Sequence, residues 1–178
     1  MILPRQSILK AIANGNLGID PFEEARVGPT SIDLCLGRVL RRYRDEVIIL
    51  GESAPDTDEI LIDSSEGFRL APGKFVLGST LERLRIPADL QGFLDTKGDV
   101  ARAGIQIHNT DGHIDPGTDH VITLEVTNNN HVDVVLRSEL PVCQLYLMQL
   151  SEPTELVYRG KYYGQMGPTG YVPDAGGT

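Results

Sequence analysis

Apolar residues in 7–14 (SILKAIAN) recur at the three- and four-residue spacing of a helix, with Ser7 placed to cap it and Gly15 to stop it. From 30 to 36 the spacing becomes strict alternation, Ile32, Leu34 and Leu36 against Ser31, Asp33 and Cys35, which predicts a half-buried strand. Residues 39–43 and 46–50 read as further strand material interrupted by charge. The acidic, proline-containing stretch 51–59 reads as a solvated loop too short to separate two cores. After Phe68 come short strand candidates punctuated by Pro72-Gly73, Pro87-Ala88-Asp89, Asp111-Gly112, Pro116-Gly117 and Asn128-Asn129-Asn130. One short N-terminal helix followed by many short strands predicts an all-β domain of β-barrel or jelly-roll type.

Two segments depart from plain patterning. In 121–126 the two-residue period sets Ile122, Leu124 and Val126 on one face and Val121, Thr123 and Glu125 on the other, so Glu125 need not enter the core. Residues 160–178 hold six Gly and two Pro with little apolar periodicity, which predicts a flexible tail unless a ligand or another subunit orders it.

Composition narrows the partners. A chain of 178 residues fits one domain, residues 1–178, and is long enough to bury a core without disulfides. Its 16 Lys and Arg against 25 Asp and Glu give a net charge of -9, which argues against nucleic acid or an anionic membrane as a bulk partner. The cysteines, Cys35 and Cys143, stand far apart without a CxxC, as two buried thiols of a reducing compartment do. With no signal-like N-terminus and no run of about 18 apolar residues, the expected location is the cytoplasm.

The chemistry-bearing segment is 97–128, KGDVARAGIQIHNTDGHIDPGTDHVITLEVTN. Glu125, on a strand face, is first a solvated residue and second a candidate proton shuttle. Asp115 in IDPG is first a turn former, with Gly117 supplying positive φ. The four histidines, His108, His113, His120 and His131, have no HExxH or Cys/His spacing, and Pro141-Val142-Cys143 lacks the second cysteine of a zinc deaminase, so zinc chemistry is not expected. No Walker loop, GxGxxG or GxSxG is present. What remains is cations beside small residues: Lys97-Gly98, Arg102, and Gly160-Lys161 in the tail. Together with backbone N–H groups and Mg²⁺, they suit a triphosphate.

Seven motifs in order carry a resemblance along essentially the whole chain. They are residues 18–22 (GIDPF), 29–34 (PTSIDL), 70–77 (LAPGKFVL), 101–104 (ARAG), 114–117 (IDPG), 124–128 (LEVTN) and 160–165 (GKYYGQ). In this order they resemble the dCTP deaminase branch of the dUTPase-like superfamily. The resemblance implies a homotrimer of distorted jelly-roll subunits with active sites between subunits and Mg²⁺ carried on the triphosphate. The implied reaction is hydrolysis of the 4-amino group of dCTP to dUTP and ammonia without zinc, within pyrimidine deoxynucleotide synthesis. Some members of the family also cleave dUTP to dUMP and pyrophosphate.

By the same resemblance Glu125 is general base and acid, and Arg102 positions the water and the carboxylate. Asp115 lies at the deoxyribose, where related dUTPases keep the base for phosphate-ester attack. Lys97, Lys161 and Gln165 are implied phosphate contacts, Tyr158 and Thr123 further substrate contacts, and 160–178 a lid. The chain departs from the family in two places. Lys97-Gly98-Asp99 replaces Arg-Ser-Ser, and Thr118-Asp119-His120 replaces an aromatic, a variable residue and Gly. Gly98 leaves out a hydroxyl and, if it borders the base, makes room for a 5-substituted dCTP. Asp99 adds a negative charge near the expected phosphates. The alternatives are a dUTPase, a bifunctional deaminase-diphosphatase, and a non-catalytic deoxynucleotide-binding regulator.

Overall fold

The computed structural model describes residues 1–44, 47–109 and 111–174. Helix α1 (Arg5–Ala13) starts two residues before Ser7. Pro4 occupies the cap position and accepts the Ser7 N–H at 2.9 Å. At the other end Gly15 has a φ of 73°, and the N–H groups of Gly15 and Asn16 return to the carbonyls of Ile12 and Ala11. That pairing is a Schellman stop, which glycine permits without strain.

The strands are β1 (Gly18–Asp20), β2 (Ser31–Cys35), β3 (Val39–Tyr43), β4 (Thr57–Leu61), β5 (Phe68–Leu70), β6 (Phe75–Arg85) and β7 (Leu90–Thr96). After a second short helix, α2 (Gly98–Arg102), come β8 (Ile105–Gln106), β9 (His113–Ile114), β10 (Asp119–Asn128), β11 (Val134–Leu136) and β12 (Pro141–Gln149). The all-β class is as expected, although α2 adds a helix that patterning did not predict. One sheet runs β4-β3-β6-β10-β8, with β1 also on β6; another runs β2-β12-β7-β9; β5 and β11 form a ribbon. Leu40, Leu84, Leu124 and Val126 of the first sheet share one buried cluster with Leu34, Leu94, Leu145 and Leu147 of the second. Each such side chain contributes roughly 2 kcal/mol when fully buried.

Of the strand expected over 46–50, Glu46 lies outside the described residues and 47–50 form no strand. The partner of β3 is instead β4, which starts inside the expected 51–59 loop. Its acidic residues are cross-strand ion-pair partners: Arg41 with Glu59 at 3.2 Å and Arg42 with Asp58 at 3.3 Å. Charge that read as solvent-seeking selects the pairing register.

Both cysteines are free and buried, and burial pushes the Cys35 thiol up to about 12. Beside them Glu82 is 1% exposed. Its Oε2 accepts the Cys35 N–H at 2.9 Å and its Oε1 pairs with Arg26 at 3.0 Å. Burial raises its pKa, opposed by these hydrogen bonds and by Arg26.

The ladder between β6 and β10 is interrupted beside Glu82. Val121 pairs with Arg83 and Thr123 with Ser79, so Thr80, Leu81 and Glu82 stand opposite Ile122 alone. The irregular segment is tied down from within: Thr80 Oγ1 donates to the Glu82 carbonyl at 2.8 Å and accepts the Ile122 N–H at 2.9 Å.

Candidate active site

A cavity of about 510 Å³ opens along β10. Thr118, His120 and Ile122 border it on one side of the ladder interruption, Thr123 and Glu125 on the other. Strict alternation would have set the even and odd positions on opposite faces. Ile122, expected with Leu124 and Val126, packs against their core cluster as expected but stays half-buried and also borders the cavity, because an irregular ladder re-aims side chains.

Glu125 is half-buried, and its Oε2 accepts the Asn109 N–H at 2.8 Å. Among the described residues no hydrogen bond holds its other oxygen. A carboxylate fixed at one oxygen keeps the second for a water or a substrate proton. Asp115 borders the same cavity from the turn after β9, where Thr118 N–H donates to its carbonyl at 3.2 Å. The turn requires Gly117: its φ is 87°, and a Cβ there would stand 2.5 Å from Val157 Cβ. Asp115 Oδ1 meets His113 Nε2 at 2.9 Å.

The tail, read as flexible, lies across this cavity over its described part. Gln165 Nε2 donates to the Val121 carbonyl at 2.8 Å, and the Thr169 N–H donates to Thr123 Oγ1 at 3.1 Å. Beyond them the Tyr171 N–H donates to the Tyr43 hydroxyl at 2.8 Å, and the Gly51 N–H donates to the Tyr171 hydroxyl at 2.6 Å. Tyr158 enters through its N–H to Pro116 O at 2.8 Å, and its hydroxyl accepts the Tyr162 N–H.

His120 pins the tail from below. It is 5% exposed, its ring contacts those of Tyr158 and Tyr163, and its Nδ1 accepts the Gly164 N–H at 3.4 Å. Burial lowers its pKa; Asp119 opposes this and Arg83 reinforces it. Since the folded-state value is depressed, the stabilisation is complete above the ordinary histidine pKa and is lost as pH falls through the depressed value. Protonation also removes the Nδ1 acceptor. Protease cleavage within 160–174 is therefore expected to rise as pH falls below the ordinary histidine range, and His120→Gln is expected to flatten that rise. An identical pH profile in both proteins would refute the role given to His120.

Glu125, Asp115, Thr123, Tyr158 and Gln165 thus share one cavity, whereas Lys97, Gly98, Asp99, Arg102 and Lys161 do not border it. Arg102 is exposed at the end of α2, where its Nη1 donates to the Gly98 carbonyl at 2.8 Å. Lys97 pairs with Asp99 at 3.3 Å and Asp33 at 3.8 Å. The Lys97 hydrogen bond holds Asp99 below its ordinary pKa. Lys161 pairs with Asp174 at 2.9 Å. Gly98, placed on α2, opens no room at Glu125 within one subunit.

Among the described residues no three His, Cys, Asp or Glu side chains converge as a metal-ligand set. Asn109, Tyr43 and Tyr171 also border the cavity and carry no local pattern in the sequence. In the sequence His120 stands out only as a departure from the family pattern, and His113 only as a histidine without zinc-motif spacing.

Residues 2–150 match the protein family described as dCTP deaminase-like. The chain is 40% identical over 178 residues to "dCTP deaminase, dUMP-forming" of Corynebacterium kroppenstedtii, covering 95% of each chain. It is also 40% identical to the protein of the same name from Mycobacterium sp. (strain KMS), over 95% of this chain and 94% of that one. Among solved structures, 2'-deoxycytidine 5'-triphosphate deaminase from Agrobacterium tumefaciens superposes with a TM-score of 0.65 at 21% identity. The match covers 82% of this chain and 47% of that one, so the chain spans about half the length of that structure.

Proposed function

Because the chain belongs to the dCTP deaminase-like family, we propose that it hydrolyses dCTP at C4 and carries the product on to dUMP. The observation that carries this reading is the pair of carboxylates, Glu125 and Asp115, on one cavity. Two hydrolyses at different atoms, C4 and the α-phosphorus, are served by two proton acceptors at different places on one cavity. In the first, Glu125 takes a proton from water as the oxygen adds to C4 and returns it to the amino group, which leaves as ammonia. In the second, Asp115 takes a proton from the water that attacks the α-phosphorus of dUTP, and pyrophosphate departs. The dUMP-forming name of the relatives favours this sequence over a deaminase that stops at dUTP, the product first expected.

Further parts belong to the same proposal. Mg²⁺ arrives with the triphosphate as part of the substrate. The protein acts as a homotrimer in the cytoplasm, where α2 of one copy brings Lys97 and Arg102 to the cavity of another. This fits two strongly exposed or ion-paired cations that find no substrate within their own subunit. Lys161 reaches the phosphates by exchanging Asp174 for them.

A panel of dCTP, 5-methyl-dCTP and dUTP with Mg²⁺, assayed for ammonia and pyrophosphate, tests the reading. Equal ammonia and pyrophosphate from dCTP, with dUMP as product, is the expected result. Ammonia with accumulating dUTP reduces the protein to a deaminase, and pyrophosphate from dUTP without ammonia from either cytosine nucleotide makes it a dUTPase. Faster ammonia release from 5-methyl-dCTP changes the substrate, and binding without turnover leaves a nucleotide-responsive regulator.

A further inference from the structure

Each of the two carboxylates on the cavity has one oxygen engaged by a nitrogen. Glu125 has one oxygen held by the Asn109 N–H; Asp115 has Oδ1 2.9 Å from His113 Nε2 in an ion-pair contact between two half-exposed side chains. Among the described residues no hydrogen bond holds Asp115 Oδ2.

The histidine is itself fixed. It lies on β9 opposite Phe93 of β7, and the two rings stack with centroids 5.7 Å apart and 18° between planes. Gln91 Nε2 secures the next residue by donating to the Ile114 carbonyl at 2.6 Å. His113 and Asp115 both border the cavity. An imidazole nitrogen placed beside one carboxylate oxygen biases which oxygen remains to accept a proton.

We propose that His113 is a positioning residue for pyrophosphate release, orienting the Asp115 carboxylate through Nε2–H so that Oδ2 receives the proton of the attacking water. The proposal rests on the dUMP-forming reading and assigns a further residue to its second step. The water oxygen bonds to the α-phosphorus of dUTP while the bond from that phosphorus to the α,β-bridging oxygen breaks. The electron pair leaves on pyrophosphate, and one water proton passes to Asp115 and then to solvent. The other stays with the new phosphate oxygen of dUMP. His113 neither gains nor loses a proton in the balance.

Two variants of the full-length protein test this. His113→Phe keeps a ring to stack on Phe93 and removes the donor; His113→Gln retains an N–H donor of similar reach. With dCTP, His113→Phe is expected to lower the ratio of pyrophosphate to ammonia by about 10- to 100-fold, the worth of a hydrogen bond to a charged group. With dUTP, the loss should fall on kcat rather than KM, and His113→Gln should recover part of it.

A wild-type ratio in His113→Phe overturns the proposal while leaving dUMP formation intact. A parallel fall of both products also overturns it, by making His113 a general support of the fold or the site. If the wild-type protein releases no pyrophosphate from dUTP, the dUMP-forming reading fails, and this proposal fails with it.

Discussion

Glu125→Gln is expected to lower ammonia release from dCTP by roughly 10³-fold or more, with nucleotide binding still measurable. The amide keeps the size of the carboxylate and an oxygen for the Asn109 N–H that Glu125 accepts at 2.8 Å. What it loses is the capacity to take a proton from water and give one back to the amino group. Leu124 and Val126, the buried neighbours that seat this part of β10, are untouched, so folding should be preserved. Single-turnover ammonia release and direct nucleotide titration separate the two effects. An active Glu125→Gln protein would refute the assignment of the proton shuttle. An inactive one that no longer binds nucleotide would make Glu125 a binding group instead.

Removing residues 160–178 is expected to lower kcat/KM for dCTP by about 10²-fold or more, the scale of loss when reacting groups are no longer enclosed and aligned. Three tethers would be lost together: Gln165 to Val121, Thr169 to Thr123, and Tyr171 to Tyr43. The buried apolar cluster ends at Leu147, so the shortened chain retains its whole core and should melt close to the full-length protein. Thermal denaturation and steady-state kinetics on both proteins make the comparison. Gln165→Ala, which removes one tether, should fall between them. Unchanged kinetics after truncation would mean that the described tail lies over the cavity without serving as its lid.

The class of the fold was legible because alternation and turn residues are local properties. Strands β2 and β3 fall where the pattern placed them, within a residue at each end. The strand beside β3 was not legible because the apolar run in 46–50 reads as strand material while the acidic stretch that opens β4 reads as a loop. Those charges acquire meaning only opposite Arg41 and Arg42. Within the site, Glu125 and Asp115 were picked out by motif, and the cavity does bring them together. Asn109 and Tyr43 could not be read from the chain, since each enters through contacts with residues far away in sequence. The cations at Lys97 and Arg102 were associated with the site by motif, but a single subunit holds them elsewhere. No spacing rule distinguishes a neighbour in the same chain from one in another copy.

The unequal lengths of β6 and β10 where they pass each other have a consequence for how this protein tolerates change. Thr80, Leu81 and Glu82 contribute no side chain to the cavity, yet they supply the two surplus residues that put the ladder out of step. Losing two residues there would let the strands pair without interruption. Two is an even number, so the facing of the β10 side chains would be kept, but the Thr80 hydroxyl that accepts the Ile122 N–H, or the Glu82 carboxylate on Arg26 and the Cys35 N–H, would be lost with them. The surplus is therefore part of what supports the site from behind. A short deletion at this point of β6 would act on the cavity through these buried tethers, without touching any residue of its wall.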